Sequence, residues 1–193
     1  MESDTCDEIL AATGRALCEH GYAELTMQAV AAESELSTAA IHYHYDTKDG
    51  LLEAFLDRLL DSFRERLATD ATDPSARMRG FLDAVFEQLD LADGFAISLM
   101  ELKSRAPFQA TYRERFHEID AFVRDEVAAI VADGVDAGQF DAADPATVAR
   151  HVAALVDAAH VRTVALDEDP AATRDLVESL LATRLDWHPE VVA

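Results

Sequence analysis

The stretch 26–48, TMQAVAAESELSTAAIHYHYDTK, restricts the fold more than any other part of the chain. It divides into a short segment with one apolar side, a polar turn, a second short segment and the opening of a longer one. Thr26, Ser37 and Thr47 each stand just before such a segment. There a hydroxyl can accept from an unpaired N–H of a first helical turn. At about 100° per residue, Ile41 of the second segment points one way, with Ser37 and Tyr45 beside it. Ala39 and Tyr43 fall on the opposite side, with Thr38 and His42 on the flank between. A greasy edge therefore anchors this helix and a polar, aromatic edge is left outward. That is the form of a helix that seats on its scaffold by one face and enters a DNA major groove by the other.

The rest of the chain reads as helix after helix. Ile9, Thr13, Ala16, Leu17 and His20 make an inner stripe over about residues 4–20, with Gly21 as the stop and Tyr22 and Leu25 filling a small core. The helix opened by Lys48 is expected to reach about residue 68, with Leu51, Leu52, Phe55, Leu56, Leu59, Leu60 and Phe63 on one side. A break at 69–76 precedes a helix to about residue 91, and Asp93-Gly94 breaks the chain again. A short helix before Pro107 follows. A long helix over about 107–133 then carries Phe108, Tyr112, Phe116, Ile119, Val123, Val127 and Ile130, ended by Gly134 and Gly138. Pro145 opens the next helix and Asp169-Pro170 makes the last turn. A final helix runs through Leu185, and Trp187-His188-Pro189 closes the chain. No strand pattern, internal repeat or low-complexity segment is present, so the fold class expected is all-α.

The segment LTMQAVAAESELSTAAIHYHYDTKDGLLEAFL, with ILAATGRALCEHGYAEL before it, resembles the helix-turn-helix of the TetR family of transcriptional regulators. The resemblance covers the first quarter to third of the chain. It implies a helix-turn-helix DNA-binding domain at 1–47 and a helical effector-binding and dimerisation domain at 48–193. Three positions depart from the family pattern: Glu35 and Ala39 stand where Gly is usual, and His42 where Tyr is usual. A left-handed Glu35 would cost roughly 1 kcal/mol. The DNA contacts expected are Thr26, Ser37, Thr38, Ala39, His42, Tyr43, His44 and Lys48. Thr38 and Ala39 are small enough to meet a thymine methyl, and an imidazole at 42 can donate to a base edge or phosphate. Tyr43 and His44 are read as phosphate contacts, as is Thr26 by resemblance. Lys48 at a helix N-terminus makes a phosphate seat.

Beyond the DNA face, a small-molecule effector pocket is expected among Phe63, Phe81, Phe86, Met100, Tyr112, Phe116, His151 and Leu155. By resemblance, the last two helices form a homodimer interface, with Val152, Val156, Ala159, Leu180, Leu181 and Leu185. Ala153, Ala154 and Ala158 allow close helix approach there. The function so implied is a ligand-responsive repressor that binds a palindromic double-stranded DNA operator as a dimer and is released by its effector. The alternative is a helical interaction or ligand-sensing module of the same fold that no longer binds DNA.

Composition narrows the classes further. In 193 residues, 38 acids face 16 bases for a net charge of −22, and Lys48 and Lys103 are the only lysines. Through residue 50 the bases are Arg15 and Lys48 alone, whereas a DNA reader ordinarily carries a basic patch. Such an acid excess suits a protein working in molar salt, where the Debye length is about 3 Å and repulsion from DNA is screened. No apolar run approaches the ~20 residues of a membrane span, and the acidic start MESDTCDEIL lacks a signal peptide's basic opening. A cytoplasmic halophilic protein with no membrane partner is the expectation. Cys6 and Cys18 lie about 18 Å apart along one helix, too far to bridge. His42 and His44 point about 200° apart on a helix, so no metal or cofactor is expected. No Gly-rich phosphate loop, Ser-His-Asp order or paired-carboxylate constellation stands out, so no enzyme is expected.

Overall fold

The structure, a computed structural model, describes residues 2–67, 72–89 and 94–188. Its helices are α1 (Glu2–Glu24), α2 (Met27–Ala32), α3 (Thr38–His44), α4 (Lys48–Leu67), α5 (Pro74–Glu87), α6 (Phe95–Arg105), α7 (Ala110–Asp136), α8 (Pro145–Leu166) and α9 (Pro170–Leu185). The chain is all-α, and no strand occurs among the described residues. No helix among them is long and apolar enough to cross a membrane. Residues 69–71, Asp93 and Pro189, where breaks and the chain's close were expected, lie outside the described residues.

Three helices open on the same dipeptide. Asp73, Asp144 and Asp169 each precede a proline, and their carboxylates accept from Ala76 N at 2.8 Å, Thr147 N at 3.0 Å and Ala171 N at 2.9 Å. The carboxylate satisfies a first-turn N–H, and the proline supplies a preset φ where no donor is needed. Gly21 takes φ 71° and ψ 172°, a non-helical conformation that stops the first helical stretch of α1 as expected, and a further helical turn runs on to Glu24. Helix ends depart from expectation in two places. The helix expected to reach residue 91 closes at Glu87. Gly134 does not end α7. It sits inside the helix under the Phe140 ring, where a Cβ would stand 2.1 Å from Phe140 Cδ2, so its lack of a side chain makes room for that ring.

Two compact units are distinguished: Met1–Phe63 with Leu91–Phe116, and Arg64–Asp90 with His117–Ala193. This differs from the division at 47/48 that the resemblance implied. Leu51, Leu52, Phe55 and Leu56 of α4 pack in one core with Ile9, Leu17, Val30 and Ile41, and Leu102 and Tyr112 join it. Helices α2 and α3 are too short to bury a core of their own, so α1, α4 and α6 complete it. In the other unit α8 packs on α9, and α5 on α9. Phe81, Leu82, Val127, Ile130, Phe140, Val152, Val177, Leu181 and Trp187 are buried there. Arg77 ties α5 to α7 through Asp133 at 2.6 Å, and Arg174 ties α9 to α5 through Asp83 at 2.6 Å. Phe108, expected in the inner stripe of α7, is instead 84% exposed, because a turn occupies the residues before Ala110.

Candidate nucleic-acid interface

The segment 26–48 forms two capped helices on an apolar floor. Thr26 is extended (φ −133°, ψ 164°) and its hydroxyl accepts from Ala29 N at 3.1 Å, while Met27 and Val30 are buried. Ser37 repeats the device at α3, accepting from Ala40 N at 3.2 Å. Between them Ser34 fastens the turn, donating to Ala31 O at 3.3 Å and accepting from Leu36 N at 3.2 Å. Among the described residues only Asp167 and Asp186 are non-glycine residues with positive φ, so Glu35 carries no left-handed strain. The serine-pinned turn replaces the glycine.

Ile41 is 0% exposed and fixes the inner edge of α3, whereas Tyr43 is 80% exposed. Thr26, Ser37, Ala39 and His42 are exposed as well, and Thr38 and His44 are half-buried. The outward edge of α3 thus offers methyl, hydroxyl, imidazole and phenol groups. These are the kinds of group that read base edges and hold phosphates without a formal charge. His44 is turned partly away. Its Nδ1 lies 3.6 Å from Cys6 Sγ of α1, and its ring meets Tyr43 edge-on at 5.2 Å. Next to it the Tyr45 phenol is pushed up to about 12, by burial first and then by the Cys6 and Asp7 charges.

Lys48 does not stand as a bare phosphate seat. Its ammonium donates to the Tyr22 carbonyl and sits 4.1 Å from the centroid of the Tyr22 ring. Burial lowers its pKa, against the pull of Asp49. Arg105 of α6 covers the Tyr22 ring too, at 4.5 Å. Glu101 completes the knot by accepting from Tyr22 N at 2.6 Å. An ammonium has three donors, so one bond to a carbonyl leaves two directions for an incoming oxygen. Arg15 is similarly occupied, donating to the Glu33 carbonyl at the end of α2 and pairing with Glu8 at 3.3 Å. Both early bases are structural struts, and spacing alone gave no sign of this, because the carbonyls they hold belong to other helices.

The expected pocket residues divide between the two units. Phe63, Met100, Tyr112 and Phe116 belong to the first, and Phe81, Phe86, His151 and Leu155 to the second. Phe63, Phe81, Phe86 and Tyr112 are buried, while Met100, Phe116 and Leu155 are half-buried. Tyr112 is a strut: its hydroxyl donates to Asp49 at 3.1 Å, and burial with that carboxylate pushes its pKa up. His151 is exposed, and His160 is the buried imidazole of α8.

The expected dimer residues also sort by face. Val152, Ala159, Leu181 and Leu185 are buried within the single chain, and Val156 and Leu180 are half-buried. The outward apolar groups of these helices are instead Val161 (48% exposed), Leu166 (61%) and Leu176 (59%). Ala154, Ala158 and Ala165 lie on the Val161 side at helical spacing.

Residues 9–55 match the family described as Bacterial regulatory proteins, tetR family, and residues 74–186 the family described as BetI-type transcriptional repressor, C-terminal. Among curated relatives, the HTH-type transcriptional regulator BetI of Burkholderia mallei (strain NCTC 10229) is 28% identical over 112 residues, 55% of this chain and 56% of that protein. BetI of Stenotrophomonas maltophilia (strain R551-3) is 29% identical over 85 residues, 42% of this chain and 43% of that one. The chain spans about half the length of the curated relatives it matches. A TetR transcription regulator from Haloarcula marismortui ATCC 43049 superposes with a TM-score of 0.88 at 39% identity, covering 95% of this chain and 99% of that one. A transcriptional regulator from Saccharomonospora viridis, solved in complex with choline, superposes at 0.78 with 19% identity, covering 95% and 98%.

Proposed function

The chain belongs to the TetR family of bacterial regulatory proteins, and from that premise we propose that it represses transcription by binding a palindromic operator as a homodimer. The observation that carries this reading is the outward edge of α3, with Ala39, His42 and Tyr43 exposed on a helix held by buried Ile41. Thr26 and Ser37 cap α2 and α3 and add hydroxyl contacts to the phosphates, Thr38 and Ala39 meet bases, and His44 and Lys48 flank them. The match of residues 74–186 to a BetI-type repressor supports the repressing role.

The dimer forms on the outward faces of α8 and α9, around Val161, Leu166, Leu176 and Leu180. Two copies joined there give the two-fold spacing of a palindrome. Release follows when a small effector favours a dimer whose recognition helices no longer match the groove. Moving a 99:1 equilibrium to 1:99 requires a preference of roughly 5.5 kcal/mol. The choline held by the Saccharomonospora viridis neighbour makes a small organic cation the first effector class to try. The protein works in a salt-rich cytoplasm, a reading supported by its net charge of −22 and by the Haloarcula relative.

The test is a footprint on the DNA upstream of its own gene, followed by a selection of bound genomic fragments. A symmetric protected site, weakened about tenfold or more in Thr26→Asp, is the expected result; 1.4 kcal/mol corresponds to tenfold. Aspartate caps a helix as well as threonine but repels phosphate, so that variant separates DNA contact from helix capping. Absence of any selected site would favour a module of this fold that has lost DNA binding.

A further inference from the structure

Among residues not assigned to the DNA contacts, the fold gathers three side chains of metal-ligating type that no spacing in the sequence announces. One ligand atom each of Glu19, His20 and Glu33 lies within 4.8 Å of the other two. Glu19 and His20 stand in α1 just before the Gly21 kink, and Glu33 is the C-cap residue of α2. Glu19 is exposed, and His20 and Glu33 are half-buried. Arg15 is the neighbouring base, donating to the Glu33 carbonyl, with Nε 3.7 Å from the Glu33 carboxylate.

We propose that Glu19, His20 and Glu33 bind a first-row divalent cation, of the class of Zn²⁺ or Mn²⁺, that clamps α1 to the turn leading into α3. The donor set carries the assignment. One imidazole with two carboxylates is a nitrogen–oxygen set suited to zinc, manganese, cobalt or nickel, whereas magnesium and calcium favour oxygen alone. Metal bonds of about 2.0–2.2 Å put neighbouring donors about 3.0–3.5 Å apart, so rotamer-scale closure brings these atoms to bonding distance. Three protein ligands leave the remaining positions to water. The long contact from Arg15 Nε to the Glu33 carboxylate is given up on binding, while its bonds to the Glu33 carbonyl and Glu8 remain. The ion offsets the repulsion between two converging carboxylates, and it ties together elements from different parts of the sequence.

The test uses the full chain, stripped with EDTA and without DNA, so its outcome is independent of operator binding. ZnCl₂ and MnCl₂ are titrated separately by calorimetry, and thermal midpoints are read with and without metal. CoCl₂ absorption reports whether an imidazole ligates. Expected is one site per chain for at least one of the two ions, a higher midpoint when loaded, and affinity reduced about tenfold or more in both His20→Ala and Glu33→Gln. Midpoints in EDTA establish that each variant folds, and Glu19→Gln, at an exposed position, serves if either does not. No stoichiometric binding of either ion by the native chain would overturn the proposal. So would binding unchanged by these substitutions, which would locate the metal at other acids or histidines.

Discussion

Tyr45 joins the recognition helix to α1, and its phenol carries a pH dependence. Its pKa is pushed up to about 12 by burial and by Cys6, from an ordinary value near 10. A raised acid pKa means that the folded state holds its proton longer than the unfolded chain. The associated stability is fully present below about pH 10 and is lost as pH rises through about 12. Tyr112 shifts in the same direction through burial and Asp49, so it adds to the same alkaline loss. Denaturant melts between pH 9 and 12 should therefore show stability falling less steeply in Tyr45→Phe than in the native chain. Equal slopes would contradict the environment assigned to the phenol. Single residues were only partly legible in the sequence. Thr26 and Ser37 declare themselves as caps because a cap is local, and Ile41 as an anchor because helical period is local. Lys48 and Arg15 do not declare their work, since the Tyr22 and Glu33 carbonyls they hold reach them only through the fold.

At the scale of helices, starts were more readable than stops or faces. A proline after an aspartate fixes φ and supplies a cap within two residues, so α8 and α9 begin where the dipeptide says. Gly134 shows why stops are harder: a glycine reads as a stop, but here it makes room inside α7 for the Phe140 ring, a tertiary contact. The faces of α8 and α9 were ambiguous for a related reason. Both sides are apolar, and period alone does not say which side meets the chain's own core. Burial assigns Val152, Ala159, Leu181 and Leu185 to the interior and leaves Val161, Leu166 and Leu176 outside. Leu176→Glu with Val161→Glu is thus expected to halve the mass seen by light scattering while leaving helix content intact. Leu181→Ala should instead lower stability by about 2–5 kcal/mol through a core cavity. A dimer untouched by the double substitution would place the interface elsewhere.

For the molecule as a whole, the decisive fact is charge. If it binds DNA as proposed, a chain with a net charge of −22 cannot rely on the release of counterions by a basic surface. The family was legible from the stretch 26–48, but the physical mode of binding was not, because it depends on where Arg15 and Lys48 spend their charge. Both are engaged on carbonyls and acids of their own chain, and the outward edge of α3 is neutral. If every Arg15 and Lys48 of a dimer still reached a phosphate, the slope of log K against log salt would be no steeper than about −4. The most direct measurement is the affinity for the DNA upstream of its own gene, titrated in KCl from about 0.1 to about 3 M, which carries screening from weak to nearly complete. Specific binding that holds or strengthens toward high salt is expected, with a slope of log K against log salt near zero or positive. A steep loss of affinity with rising KCl, as a basic surface would give, would contradict it.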